Sequence, residues 1–276
     1  MSKYSVLMSI YIKEKPEYFV ESLDSMINQT LPPDEIVIVK DGPLTDELDK
    51  VLNDFIAKYP NLFNIVTCEK NLGLGRALNF GLKNCKNELV ARMDTDDISL
   101  PDRCEKQLQA FSQDRNIDLL GGNISEFIGE ESNIVGRRVV PKNDKDIREY
   151  LKKRCPFNHV TVMFKKSKVL KAGNYQEYFW NEDYYLWIRM FESGCKFENL
   201  PDTLVNVRVG LDMYKRRGGL RYFKSESGLQ KYMLEKGLIK IPRYLYNIGI
   251  RFIIQVLMPS TLRGFVFMKF AREKNI

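Results

Sequence analysis

Four short apolar runs, at residues 6–12, 35–39, 63–67 and 88–93, alternate with amphipathic stretches, and this alternation constrains the chain most. Each run has strand length, and each intervening stretch carries helix signals. Pro16 opens the first helix, with Phe19, Val20, Leu23, Met26 and Ile27 on one face, and Leu31-Pro32-Pro33-Asp34 stops it. A second helix is predicted over residues 44–58. A third runs through Ala77, Leu78, Phe80 and Leu82, and Pro101 opens a fourth. Strands separated by helices at spacings of roughly 30 residues or less imply an α/β fold with a parallel sheet and helices on both faces. Ligands of such sheets sit beyond the carboxyl ends of the strands. Asp41, Asn71 and Asp94 each fall just past a predicted strand, so the pattern brings them to one edge.

After residue 115 the rhythm changes. Strands are expected at 117–120, 123–127, 134–140 and 160–164, and two final ones at 197–200 and 203–207. Helices are expected at 144–153 and 183–193, the latter ended by Gly194. Strands without long crossover helices imply a mixed or antiparallel extension of the sheet.

The 276 residues are 44% apolar and 29% charged, which excludes a disordered or low-complexity chain. No apolar run reaches the roughly 18 residues a membrane span needs. No amino-terminal apolar stretch with a cleavage site suggests secretion. Five cysteines without a C-x-x-C pair fit free thiols in a reducing cytosol, and the single His159 excludes a multi-histidine metal site. The net charge of +7 is uneven: residues 216–276 hold 13 Lys or Arg against 3 Asp or Glu, whereas residues 1–215 hold 30 against 33. The basic carboxyl-terminal segment therefore calls for an anionic partner, with nucleic acid and anionic lipid both candidates, or is simply a solvated tail.

Asp94-Thr95-Asp96-Asp97 is the sharpest local feature. Three carboxylates within four residues repel one another unless a cation sits among them, and a hard divalent ion such as Mg²⁺ or Mn²⁺ suits oxygen ligands. The same acids ahead of Pro101 also suit a helix start. Lys70-Asn71-Leu72-Gly73-Leu74-Gly75-Arg76 fails the dinucleotide fingerprint, because its third glycine would be Leu78; Arg76 could still meet a phosphate or lie on the surface. Glu182-Asp183 stands between Trp180 and Tyr184, Tyr185 and Trp187, as a base among aromatic walls or as ordinary acids of a first helical turn. Arg216-Arg217-Gly218-Gly219 reads as a mobile phosphate clamp or a basic turn, and His159 as either structural or part of a site.

In this order the pieces resemble a known family. Tyr11 closing the first strand, Gln29-Thr30 before Pro33-Asp34-Glu35-Ile36, Asp41-Gly42, Lys70-Asn71-x-Gly73, Asp94-x-Asp96-Asp97 and Glu182-Asp183 look like the family-2 glycosyltransferases of GT-A fold, of the bacterial capsule, exopolysaccharide and O-antigen type. The resemblance implies a donor-binding half at 1–115, an acceptor-binding half at 116–215 and a basic amphipathic extension at 216–276. It implies that Tyr11 and Asp41 hold the nucleotide base, that Arg76 and Asp94 lie near ribose and phosphates, and that Asp96 is the main ligand of Mn²⁺ or Mg²⁺. Asp183 would be the base that deprotonates the acceptor, and Arg216 and Arg217 would hold the departing nucleotide diphosphate.

An inverting single displacement follows, from a nucleotide-diphosphate sugar, with UDP the expected nucleotide, to a saccharide or polyprenyl-diphosphate-linked acceptor. No Gln-x-x-Arg-Trp occurs, so the chain looks like a single-addition enzyme. Apolar clusters alternating with cations over residues 243–272 fit a helix in a membrane interface, which places the enzyme in the cytoplasm on the inner face of the membrane. The alternatives are a sugar nucleotidyltransferase, which would need a glycine-rich amino-terminal loop that residues 6–15 lack, and a non-enzymatic basic nucleic-acid- or membrane-binding protein, which would not need the carboxylates. The leading expectation therefore carries no nucleic-acid partner.

Overall fold

The computed structural model describes residues 2–210 and 218–259. Its first half is the expected alternation: β1 (Tyr4–Ile10), α1 (Pro16–Ile27), β2 (Glu35–Asp41), α2 (Asp46–Lys58), β3 (Phe63–Cys68), α3 (Leu74–Asn84), β4 (Leu89–Arg92), β5 (Ile98–Ser99) and α4 (Arg103–Gln113). β1 pairs in parallel with both β2 and β4, and β2 with β3. Period-two alternation divides the strands between two cores. Val6, Met8 and Ile38 pack under α1 and α2, while Leu7, Val37 and Val39 pack under α3. α2 starts two residues later than expected because the Thr45 hydroxyl accepts the Leu48 N–H at 3.3 Å and so caps the helix.

β6 (Leu119–Phe127), β7 (Ile134–Arg138), α5 (Asp144–Leu151), β8 (Met163–Lys165), α6 (Lys166–Lys171), α7 (Glu182–Glu192) and β9 (Phe197–Arg208) extend the sheet. Its order is β3-β2-β1-β4-β8-β6-β9-β5, with β7 beside β6. β8 lies antiparallel to β4, so the direction changes at the centre of the sheet.

Three expectations are corrected here. Residues 117–120 and 123–127 belong to one strand, because Gly121 and Gly122 serve close approach: an added Cβ would meet Asn199 Oδ1 at 2.4 Å and Leu204 Cδ1 at 2.5 Å. Residues 197–200 and 203–207 are likewise one strand, β9, which passes through Pro201 where the register against β6 shifts. The run at 160–164 begins as a 3₁₀ turn, His159–Thr161, because the Asn158 carbonyl accepts both the N–H and the hydroxyl of Thr161. The two-residue β5 and the short α6 had no legible signal.

Beyond residue 217, α8 (Leu220–Glu235) buries Leu229 and Met233 in the α3-side core. α9 (Ile241–Phe252) continues into a π turn, Ile253–Leu257. α9 is amphipathic in the inverted sense: Asn247 and Arg251 are buried, while Ile241 (63%), Leu245 (62%) and, in the π turn, Leu257 (63%) are exposed. Among the described residues no helix is long and apolar enough to cross a membrane.

The contact of α3 with the sheet depends on Gly81, where a Cβ would lie 2.4 Å from Leu7 Cδ1 and 2.6 Å from Val39 Cγ2. Gly81→Val should therefore overpack the core and cost about 1–3 kcal/mol, read as a lowered urea midpoint with an unchanged slope.

Candidate active site

Arg92, the last residue of β4, is fully buried. Its guanidinium donates to the Met93 carbonyl and to the Asp94 carboxylate. The following acidic loop is clamped on both sides. The Ser22 hydroxyl of α1 donates to the Asp94 carbonyl at 2.7 Å, and on β9 the Arg208 N–H donates to Asp97 Oδ1 at 2.8 Å. Arg208 Nε also donates to the Asp96 carbonyl at 3.2 Å, and its guanidinium pairs with Glu21.

The electrostatics of the loop are those of excess negative charge. Burial, then Asp94, pushes the Asp96 carboxyl up to about 6, and burial, then Asp96 and Asp94, pushes Glu14 up to about 7. Asp97 is raised by burial and by both neighbouring aspartates.

Two cavities, of about 430 and 610 Å³, open beside this loop. Tyr11, Glu14, Asp41, Asn71 and Asp96 line the smaller one. Asp183, Cys155, Arg138, Arg154, Tyr222 and Ile254 line part of the larger one. Leu74, Asp94, Trp180 and Glu182 line both, so the chambers share a wall.

Within the smaller chamber the Asp41 carboxylate accepts the Leu72 N–H at 2.7 Å and the Gly73 N–H at 3.0 Å, which pins the loop after β3. Gly42 permits this approach: its φ is +91°, and a Cβ there would lie 2.7 Å from Asn71 N. Trp180, at the shared wall, holds a left-handed φ of 53°, stacks on Phe179 and is 51% exposed. An apolar aromatic kept in solvent by a strained backbone suits a surface that stacks on a ligand.

The structure thus gathers Tyr11, Asp41, Asp94 and Asp96 in one chamber and Asp183 in the other. Arg76 lies in the first turn of α3, ion-paired with Glu177 at 2.6 Å, and lines neither chamber. Arg216 and Arg217 lie outside the described residues, as does the part of the basic tail beyond residue 259. The expected aromatic walls are corrected in part. Trp187 falls on the inner face of α7 and packs edge-on against Phe157 in the core, whereas Tyr184, although buried, lines the larger chamber together with Trp180. His159 contacts the Tyr175 hydroxyl at 3.0 Å, and burial, then Arg92, pushes it down to about 4, so it is a neutral packing group.

Sequence reasoning missed Glu14, Cys155 and Arg92. The signal for Arg92 was present: a single cation ends an otherwise apolar strand, two residues before Asp94. Cys155 donates its thiol to Asp183 Oδ2 at 3.7 Å.

Among the described residues no three His, Cys, Asp or Glu side chains converge closely enough to hold an ion alone. The donors present, Asp94 and Asp96, are hard oxygens in a pocket short of positive charge. They would suit Mg²⁺ or Mn²⁺, with the remaining positions left for substrate phosphate.

A parallel half-sheet that turns antiparallel beyond its fourth strand, with an acidic loop at that strand's end facing two joined chambers, agrees with the GT-A fold that the sequence resemblance implies. The sequence profile described as glycosyl transferase family 2 matches residues 5–179, and the chain belongs to that family. It is 37% identical to the UDP-Gal:alpha-D-GlcNAc-diphosphoundecaprenol beta-1,3-galactosyltransferase of Escherichia coli, over 98% of this chain and 97% of that protein. It is 45% identical to the amylovoran biosynthesis glycosyltransferase AmsE of Erwinia amylovora, over 78% of this chain and 80% of that protein. Its fold matches the mannosyltransferase PcManGT of Pyrobaculum calidifontis, solved with GDP-Man and Mn²⁺ (TM-score 0.66, 15% identity, 98% of this chain and 76% of that one). It also matches S. aureus TarS 1-349 in complex with UDP-GlcNAc (TM-score 0.65, 19% identity, 91% and 72%).

Burial, then Asp183, also raises Glu182 to about 7. Between the unfolded carboxyl value and about 7, the folded ligand-free protein therefore holds protons at Glu14, Asp96 and Glu182 that the unfolded chain has released. The sign makes stability fall as pH rises through that window. His159 opposes this only below its unfolded value near 6.5. The urea midpoint should accordingly drop between pH 6.5 and 7.5, and Glu14→Gln or Glu182→Gln should flatten the drop.

Proposed function

We propose that this glycosyltransferase moves one hexose, with inversion, from a UDP-linked donor to a hydroxyl of a diphosphate-lipid-linked saccharide during surface-polysaccharide assembly. The observation that carries the reading is the shared wall: a sugar in the smaller chamber and an acceptor in the larger would meet between Asp94 and Asp183. The acceptor class and the UDP donor are supported by the 37% relative, whose printed name specifies both and which matches this chain along nearly its whole length.

The residues divide the chemistry as follows. Tyr11 and Asp41 border the base pocket; Asp41 spends one acceptor site per oxygen on loop N–H groups and keeps others for a ligand. Asp183 takes the acceptor proton. Arg92 already neutralises Asp94, and Glu182 is driven towards its protonated form, so Asp183 is the carboxylate left to act as base. With no second carboxylate assigned as nucleophile, the sugar carbon is displaced once and its configuration inverts. A divalent ion at Asp96 and Asp94 would supply Lewis-acid stabilisation of the charge on the departing diphosphate. Arg216 and Arg217 are the cations proposed to assist there.

Residues 1–115 form the donor half and 116–215 the acceptor half in this reading, and 216–276 form an extension that rests on the membrane. The outward apolar face of α9, with Lys240 and Arg243 at its start, supports peripheral binding to an anionic membrane, on the inner face where a UDP-sugar would be available.

The test is a panel of sugar nucleotides with Mn²⁺ and a diphosphate-linked acceptor. One donor should be selected, and NMR of the product should show the anomeric configuration opposite to the donor's; retention would overturn the single displacement. Asp183→Asn should lower kcat about 10²–10⁴-fold with donor affinity preserved. Asp96→Asn should instead abolish the stimulation by divalent ions.

A further inference from the structure

We propose that Arg138, Lys153 and Arg154 form a subsite for the acceptor's diphosphate, next to the base Asp183. The proposal rests on the reading that the acceptor is a diphosphate-linked saccharide. When that saccharide is a single sugar, as in the acceptor that the 37% relative's name specifies, the diphosphate is attached to the anomeric carbon of the same sugar that offers the hydroxyl. With that hydroxyl at Asp183, the two phosphates must lie one sugar ring away, within the same chamber.

The cations of the larger chamber are placed for this. Asp183 contacts Cys155, and Arg154 is the residue before it in the chain. Arg138, from the end of β7, donates to the Cys155 carbonyl at 2.8 Å. Lys152 pairs with Glu149 at 2.6 Å, and Arg251 with Glu226 at 2.9 Å. Lys153 and Arg154 reach no carboxylate within ion-pair distance among the described residues, although both line the chamber. Unneutralised cations facing a cavity suit a dianion, and arginine suits phosphate oxygens by its two-pronged geometry.

The backbone carrying these cations is also held in place. Tyr184 Oη donates to the Leu151 carbonyl, Asn247 Nδ2 to the Lys152 carbonyl at 2.9 Å, and Arg251 Nη2 to the Lys153 carbonyl at 2.6 Å. Three successive carbonyls are thus fixed by side chains from α7 and α9. This explains the inverted polarity of α9: its polar side fastens the basic segment, which leaves its apolar side outward. Ile250, Ile254 and Tyr222 continue the chamber wall and offer an apolar path for the lipid chain that follows the diphosphate.

The experiment compares two soluble acceptors of the full-length enzyme, without lipid: N-acetylglucosamine linked through diphosphate to a short alkyl chain, and the alkyl glycoside lacking the diphosphate. Wild-type enzyme should prefer the diphosphate acceptor, with inorganic pyrophosphate competing against it. Arg154→Ala should lower kcat/KM for the diphosphate acceptor at least tenfold, through KM, and erase the preference. Arg154→Lys should restore part of it, and Lys50→Ala, which lines neither chamber, should keep it. Equal losses on both acceptors, or an intact preference, would overturn the subsite. A loss seen only with anionic vesicles would assign these cations to lipid headgroups instead and also overturn it. If wild type uses neither acceptor, the functional reading fails separately. Calorimetry of methyl diphosphate with UDP filling the donor chamber then decides: equal affinity in wild type and Arg154→Ala overturns the subsite.

Discussion

The site is organised around one buried guanidinium among carboxylates. Arg92 has no access to solvent, and burying an unpaired charge costs several kcal/mol, so its contact with Asp94 is obligatory. Its reach extends further: its positive charge favours the ionised forms of Asp96, Asp97, Glu14 and Glu182 and helps keep His159 neutral. One cation does not balance that many acids. The remaining negative charge would suit a metal–diphosphate complex, because the metal of such a ligand would supply the missing positive partner. A site with its charges already balanced would have less to gain from the same ligand.

The sheet explains why this charge faces a cleft. β1, β2 and β4 run in parallel and deliver their ends to one edge, as in other open α/β sheets. β8 then runs antiparallel beside β4, and the chain returns with Asp183 at the start of α7 on the far side of Asp94. The smaller chamber is built by loops after the parallel strands, and the larger one by the antiparallel half and the final helices. Asp94, Leu74, Trp180 and Glu182 stand at the seam.

α8 and α9 close the larger chamber and leave an apolar face outward. Asn247 bonds Gln230 at 2.7 Å, and Glu226 takes both Arg251 and Gln255, so a polar seam joins the two helices. A soluble helix would place such residues outward. Here the polar residues pair with one another across the seam and the apolar residues are turned out, an arrangement that would cost less where solvent is replaced by lipid.

The sequence by itself determined the α/β alternation, because period-two strands and 3.6-period helices are local patterns set by which face is buried. It also determined that Asp41, Asn71 and Asp94 come to one edge, where they line one chamber, because strand ends in a parallel sheet are neighbours however far apart they are in the chain. It could not show that Gly121-Gly122 and Pro201 lie inside strands, since those residues read locally as breaks; the glycines admit the close approach of Asn199 and Leu204, and Pro201 falls where the register shifts. Nor could it show that Arg76 is held by Glu177, 101 residues later, or that Trp187 belongs to the core and Trp180 to the site. Only the tertiary structure decided that Arg251 is neutralised and that Lys153 and Arg154 face a cavity, because the pairing of α9 with Glu226 of α8 depends on distances across the fold that no sequence spacing encodes.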